Sequence, residues 1–549
     1  MKKTHLLLLA STLLFSAPAF AQPAIAGLGV RNGASYALPG LPSSSIAQGS
    51  IFVIFGQRLG PEQKVDVDRF PLPTANGLAG TSIQVTVAGT SVDAIMLYTL
   101  STQVSAVLPS NTPIGTGTVT VTYNGQRSAP APITVTRSSV GLFAFNMAGS
   151  GPAILQNYNS QTDAPFNNAT TSARPGQVVI LWGTGVGPVT GDEAAGALPG
   201  DITGSDLRVF VGGREAAVQY RGRSGCCVGV DQINFVVPSG IEGCSVPVYV
   251  QAGGVVSNFV SMSIAASGAT CSDPNGYSTA DLLTASANGA WRPGVLGVQR
   301  LQGDAIGVPT YRSDSLLGNF SRIPYSQLLT STEVPIAGQC SVIQYPTATA
   351  APMEGLDAGE ITVTGPVGNR TLGKPGKGVY LLAFMPSPIP LPGVISDGTL
   401  ITAGNYTFNV TGGADVGPVT ASINFPASFS WTNHTSITSV TRSQPLNITW
   451  SGGTSGALVN IRGTSSAASG PQGDIGAAFS CWEDATKGSF TVPASLLSAL
   501  PASYMSSGLP AGTLTVSEIH LRNSFTATGI DQGILEFFDS YSKGTVAFQ

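Results

Sequence analysis

The chain has 549 residues, of which only 10% are charged, with 68 Gly, 38 Pro and a formal net charge of -4. Soluble domains carry about a quarter charged residues, so a shortage of Lys and Glu removes good helix formers while Gly and Pro supply turns, and the chain should be β-rich. At about 150 residues per domain it should hold three or four, and its weak negative charge offers no basic field, which excludes nucleic acid as an expected partner.

Residues 1–21 read as a secretory signal: Lys2 and Lys3, an apolar run from Leu6 to Phe20, and a small-x-small site at Ala19-Phe20-Ala21. The mature chain should begin at Gln22, which is not the Cys a lipoprotein needs. The apolar run falls short of the about 18 residues that span a bilayer, and Val379 to Ile395 is broken by Pro386, Pro388, Pro390 and Pro392. The expectation is an extracellular or periplasmic protein without membrane insertion.

An internal repeat organises the first half. Ser45 to Gly56 matches Ser172 to Gly183 at an offset of 127, Ile83 to Gly89 matches Leu207 to Gly213 at 124, and Gln103 to Ser110 matches Gln232 to Ser239 at 129. The offset changes between blocks and never within them, as it does when insertions are confined to loops between packed strands. Each copy alternates apolar and polar residues and turns at Gly or Pro, with Ile83, Val85 and Val87 inward and a tight turn at Ala88-Gly89. This predicts two sandwiches, 26–137 and 138–267.

Gly183-Thr184-Gly185-Val186-Gly187-Pro188 and Gly229-Val230-Asp231-Gln232-Ile233-Asn234-Phe235-Val236-Val237-Pro238 resemble the uncharacterised Solibacter C-terminal domain of exported acidobacterial proteins. The Pro175-Gly176 opening is similar to immunoglobulin-like sandwiches of the plexin-transcription-factor class. The resemblance covers about residues 30–265 and implies the fold alone, with no functional residues carried over. That family often has an aromatic where Asp231 stands, a departure expected at an exposed strand position.

Beyond Ser267 the repeat is lost, and 276–329 shows few clean alternations. Period-two patterning returns at Ile361-Thr362-Val363, Tyr406 to Val410 and Val419 to Phe425, predicting a β-rich domain over 272–427. Leu446 to Trp450, Leu458 to Ile461 and Leu514 to Val516, with a short helix opened by Pro493, predict a final β-sandwich over 428–549. The fold class is all-β, with tandem immunoglobulin-like sandwiches followed by further sandwich-type domains.

Few residues invite chemistry. Six cysteines in an exported chain favour disulfides. Cys244 is expected to pair with Cys226 or Cys227, and Cys271 with Cys340, leaving Cys481 and one of the adjacent pair unassigned. After the signal only His434 and His520 remain, too few for an expected His-based nucleophile relay or metal centre; they read as a loop and a strand residue. The Gly183 to Gly187 run lacks the spacing and following helix of a nucleotide loop and reads as a turn. Asp66 and Asp68 offer two of the about six oxygens a calcium site needs. Glu354, Asp357 and Glu360 are the best acidic group for glycoside hydrolysis, and Trp431 is the aromatic most expected to be exposed for a ligand. No cofactor is expected. The sequence points to a non-enzymatic binding or structural protein whose partner is a cell-surface polymer or protein. The alternative is a secreted polysaccharide-acting enzyme with its site in 272–427.

Overall fold

The computed structural model describes residues 22–273, 276, 278–305, 308–328, 335–345, 353–385, 394–396, 399–427, 429–470 and 473–549. The expected signal over 1–21 lies outside these residues. The architecture is all-β and multi-domain, with sheets stacked as sandwiches.

The first sandwich uses β1 (Ala24–Asn32), β2 (Ile51–Gln57), β3 (Thr81–Val87), β4 (Ile95–Thr99), β5 (Gln103–Val107), β6 (Gly115–Tyr123) and β7 (Ala131–Thr136). One sheet runs β1-β2-β5-β4 and ends on Val65–Asp66; the other contains β7-β6-β3. Phe52, Ile54, Ile83, Val85, Val104 and Val121 fill the space between them and are fully buried. Alternation alone produces this: the odd residues of β3 face the core and its even ones are half-exposed.

The second sandwich repeats the plan with β8 (Leu155–Asn157), β9 (Val178–Thr184), β10 (Arg208–Val211), β11 (Val218–Arg223), β12 (Asp231–Val236), β13 (Gly243–Ala252) and β14 (Val260–Ile264). Its first sheet runs β9-β12-β11 and ends on Gly200–Asp201, with β8 beside β9; its second runs β10-β13-β14. The tight hairpins match as well. Ala88 and Gly89 lie at φ +49° and +78°, and Gly212 and Gly213 at +53° and +80°, the paired positive values of a two-residue turn that follows strand twist.

The sandwiches are joined through buried polar groups. Arg223 of β11 faces Asp231 of β12, with side-chain exposures of 2% and 0%. The Arg223 Nη2 also donates to Gly49 O of the first sandwich at 2.6 Å and to Gly187 O at 3.0 Å. Glu193, buried beside Arg223, accepts from Ser110 N at 2.7 Å. Thr184 Oγ1 accepts from Ile51 N and donates to Gly229 O. Around them Leu72, Ile95, Val107 and Val228 form an apolar cluster drawn from both copies. Asp231, expected at an exposed position, is therefore fully buried: it points to the inner face, where Arg223 neutralises it.

In the second half the stretch with little alternation holds α1 (Thr279–Asn288), closed by a capping box between Ser278 and Asp281 and by Gly289 at φ +66°. A long hairpin follows, β15 (Pro293–Ala305) and β16 (Val308–Pro324). The remaining principal strands are β17 (Cys340–Tyr345), β18 (Ile361–Gly365), β19 (Val379–Phe384), β20 (Gly404–Val410), β21 (Val419–Phe425), β22 (Leu446–Ser451), β23 (Leu458–Gly470), β24 (Gly473–Asp484), β25 (Ser489–Val492), β26 (Gly512–Phe525) and β27 (Gln532–Lys543).

A boundary was expected at 427/428, yet one sheet crosses it in the order β17-β24-β23-β26-β27-β15-β16-β19. The joint is the parallel pairing of β15 with β27, from Pro293 opposite Gln532 to Asp304 opposite Lys543. Arg292 pairs with Asp531, and the buried Arg300 with Asp539, across that joint. One core, from Leu296 to Phe548, serves both segments.

Candidate binding face

Both sandwiches carry one constellation on the outer face of their first sheet. In the second, Trp182 of β9 stands directly opposite Gln232 of β12, and Asn234 opposite Tyr220 of β11. All four are half-buried, while their neighbours Leu181, Ile233 and Phe235 point into the core. In the first, Phe55 stands opposite Gln103, and Ser105 opposite Tyr98. The strand carrying each tyrosine shifts register one step before it, between Met96 and Tyr98 and between Val218 and Tyr220, so the bulge that aims the ring is itself repeated.

The two faces differ in what lies over them. In the first copy the Arg31 guanidinium sits 5.0 Å from the Phe55 ring centre, Tyr36 packs beside it, and Lys64 Nζ lies 4.5 Å over Tyr98. Burial there, with the Tyr36 hydroxyl and the Asp66 carboxylate nearby, pushes the Tyr98 hydroxyl up to about 12. In the second copy, among the described residues, no cation lies over Trp182 or Tyr220. The Trp182 indole N–H donates to Gln156 Oε1 at 3.0 Å, and Gln232 Nε2 donates to Asn234 Oδ1 at 3.0 Å. Tyr220 is anchored through its hydroxyl to Arg223 O, and burial raises its pKa. The opposite side of this sandwich is covered: Phe210, Tyr249 and Phe259 stack together and join the core of the second half, where the Tyr249 hydroxyl meets Ser495 Oγ.

The residues singled out from sequence fall elsewhere. Trp431 is 1% exposed, its indole N–H donating to Asn433 Oδ1; this corrects the expected exposure, because its strand alternates it into the core beside Tyr541. The disulfides are Cys226–Cys227, Cys244–Cys271 and Cys340–Cys481, which corrects the expected pairings. Cys340 and Cys481 are directly opposite on β17 and β24, a neighbourhood only sheet formation creates. Cys226 and Cys227 are exposed on the loop after β11, whereas Cys244 opens β13 in the other sheet.

Glu354 is exposed and 3.6 Å from Arg322. Asp357 is bound to Lys374 and accepts from Gly359 N, which hold its carboxyl down at about 2. Glu360 is exposed, and Asp66 pairs with Lys64 at 2.6 Å. His434 packs 4.3 Å from the Tyr541 ring, and His520 of β26 stacks on Phe537 of β27. The Gly183 to Gly187 turn has its groups engaged by Asp231, Ser139 and Arg223. Among the described residues no three metal-ligating side chains converge, and no helix is long and apolar enough to cross a membrane.

No protein-family model matches the chain, and no curated protein matches it. Many solved structures are similar to it over part or most of its length, three of them as follows. Domains 5–6 of the S-layer protein SbsC share 14% identity, covering 44% of this chain and 98% of that one at a TM-score of 0.17. A Bacteroides ovatus SGBP-B from a mixed-linkage glucan utilization locus shares 8%, covering 40% and 45% at 0.19. Sidekick-1 immunoglobulin domains 1–4 share 9%, covering 94% and 98% at 0.12. At such scores the fold rests on the strand pairing above, and nothing about function passes from these proteins.

Proposed function

We propose that the chain is an exported, non-enzymatic modular protein that acts at or outside the cell surface by binding a cell-surface polymer or protein. Membership among exported acidobacterial proteins with the Solibacter C-terminal domain belongs to the same proposal and rests on the Gly183 to Pro188 and Gly229 to Pro238 motifs. One observation carries the reading: among the described residues, the second sandwich leaves the Trp182 and Tyr220 rings free of cations on a rigid sheet beside Gln232 and Asn234, where the first copy caps its two aromatics, Phe55 and Tyr98, with Arg31 and Lys64. Rigid, half-exposed aromatics with a few fixed polar groups are what binding sites are built from. Three disulfides favour an oxidising compartment, extracellular or periplasmic. The alternative enzyme would need Glu354, Asp357 and Glu360 as acid and base, but Asp357 is held as a salt-bridged anion and the others stand in solvent.

The test is retention of the mature chain, residues 22–549, on acidobacterial cell envelopes, beside Trp182→Ala. Retention that the substitution abolishes, in a variant with unchanged urea unfolding, is the expected result. Envelope retention unaffected by the substitution would move the binding away from this face, and release of soluble sugar from envelopes would favour the enzyme.

A further inference from the structure

We infer that this face takes an uncharged polysaccharide, with Trp182 and Tyr220 stacking on sugar rings and Gln232 and Asn234 bonding their hydroxyls; the inference rests on the binding role proposed above. A pyranose presents apolar C–H faces and a rim of hydroxyls, each both donor and acceptor. Trp182 supplies the broad apolar ring such a face needs. The amides supply the rim: with Gln232 Nε2 bonded to Asn234 Oδ1, Gln232 Oε1 and Asn234 Nδ2 remain as an acceptor and a donor side by side.

Spacing argues for a chain rather than one sugar. Trp182 and Tyr220 lie on β9 and β11, with β12 between them, and are offset by the two residues from Gln232 to Asn234, so their backbone positions are about 12 Å apart. That span exceeds a single sugar ring, with the amides lying between the two platforms.

Charge argues for a neutral ligand. The outward positions of these strands are Val178, Ile180, Trp182, Gln232, Asn234, Val236, Tyr220 and Gly222, none of them charged. The charged residues of the same strands lie off this face: Arg223 and Asp231 are turned to the inner face, and Arg221 stands opposite the inward Ile233, its Nη1 donating to Leu207 O. Asp201 stands on the edge strand, with Oδ1 accepting from Arg221 N. The first copy supplies the contrast. Arg31 and Lys64 already occupy its rings, and Ser105 Oγ donates to Phe52 O, so one copy is closed and the other open.

The experiment uses the mature chain in calorimetric titration with a soluble neutral β-glucan, a neutral mannan, a neutral galactan, carboxymethylcellulose and a lysine-rich peptide. A neutral polysaccharide is expected to bind, with Trp182→Ala weakening it about tenfold or more. Gln232→Ala/Asn234→Ala should weaken it similarly, Trp182→Phe only partly, and Phe55→Ala not at all. Indole fluorescence should shift on binding and lose that shift in Trp182→Phe, since Trp291, Trp431 and Trp450 are buried and the half-buried Trp482 lies on β24, in a different sheet. Urea midpoints identify any variant that has merely unfolded. Neutral-glycan affinity indifferent to both the Trp182 and the amide substitutions in folded variants overturns the assignment. So does binding of the lysine-rich peptide or carboxymethylcellulose in place of neutral glycans. If no polysaccharide binds while envelope retention still depends on Trp182, the glycan assignment falls and the binding role stands; if envelope retention is absent too, both fall.

Discussion

Replacing Asp231 by Ala should destabilise the protein more than any single surface change, because it strands a charge between the two sandwiches. Arg223 is 2% exposed, and its remaining anion, Glu193, is 3.8 Å away and already accepts from Ser110 N. Asp231 also takes Val186 N at 2.7 Å, a bond lost with it. Breaking a buried ion pair from one side costs about 3–5 kcal/mol, and one orphaned backbone N–H adds about 1–3 kcal/mol, so a loss of about 4–8 kcal/mol is expected. Asp231→Leu combined with Arg223→Met removes both charges and should recover part of it. Recovery stays incomplete because Gly49 O and Gly187 O lose their donor. Urea unfolding at neutral pH measures the parent and the two variants, and X-ray scattering in solution should show the first two sandwiches loosening in Asp231→Ala. A loss below about 1 kcal/mol, with unchanged scattering, would refute the claim that this pair locks the junction.

Other expectations follow from burial and cross-linking. Burial raises the Glu536 carboxyl from 4.5 to about 7, so its neutral form favours folding and that contribution is lost as pH rises from 4.5 through 7. At 1.36 kcal/mol per pH unit this is about 3 kcal/mol, and Glu536→Gln should be more stable than the parent at pH 8 and level with it at pH 4; equal unfolding midpoints at pH 8 would refute this. Trp431→Ala should cost about 3–5 kcal/mol in urea unfolding, and leave glycan and envelope binding unchanged if it stays folded; a selective loss of binding would return Trp431 to the site. Cys340→Ser/Cys481→Ser opens a loop with a sequence separation of 141, for which about 4–5 kcal/mol is expected. Cys226→Ser/Cys227→Ser removes a link between adjacent residues and should cost far less, about 1 kcal/mol or under. Comparable losses from the two pairs would contradict the loop-entropy account.

Much of the first half is legible in sequence because its signals are local. Ile83, Val85 and Val87 announce a strand through their own spacing, Ala88-Gly89 announces the turn, and a second copy of each doubles the signal. The helix at Thr279 had a signal too, the Ser278-x-x-Asp281 box and the closing Gly289, obscured by the weak periodicity around it. The binding face was half written: Phe55 with Gln103 and Trp182 with Gln232 both fall in the matched blocks. Alternation says that they share the outward parity, but not that they stand opposite each other, since register is a property of two strands.

Sequence by itself determined the class of fold, the duplication and the oxidising chemistry of the cysteines, because composition, period-two patterning and residue type act within a few residues. Tertiary structure alone decided which cysteines meet, that Asp231 and Trp431 are buried, that β15 joins β27 across 239 residues, and that one copy's aromatic face is capped while the other's stays open. Each of these depends on which strand lies beside which. Pairing is set by the burial of whole faces at once, so no short stretch of the chain carries the information.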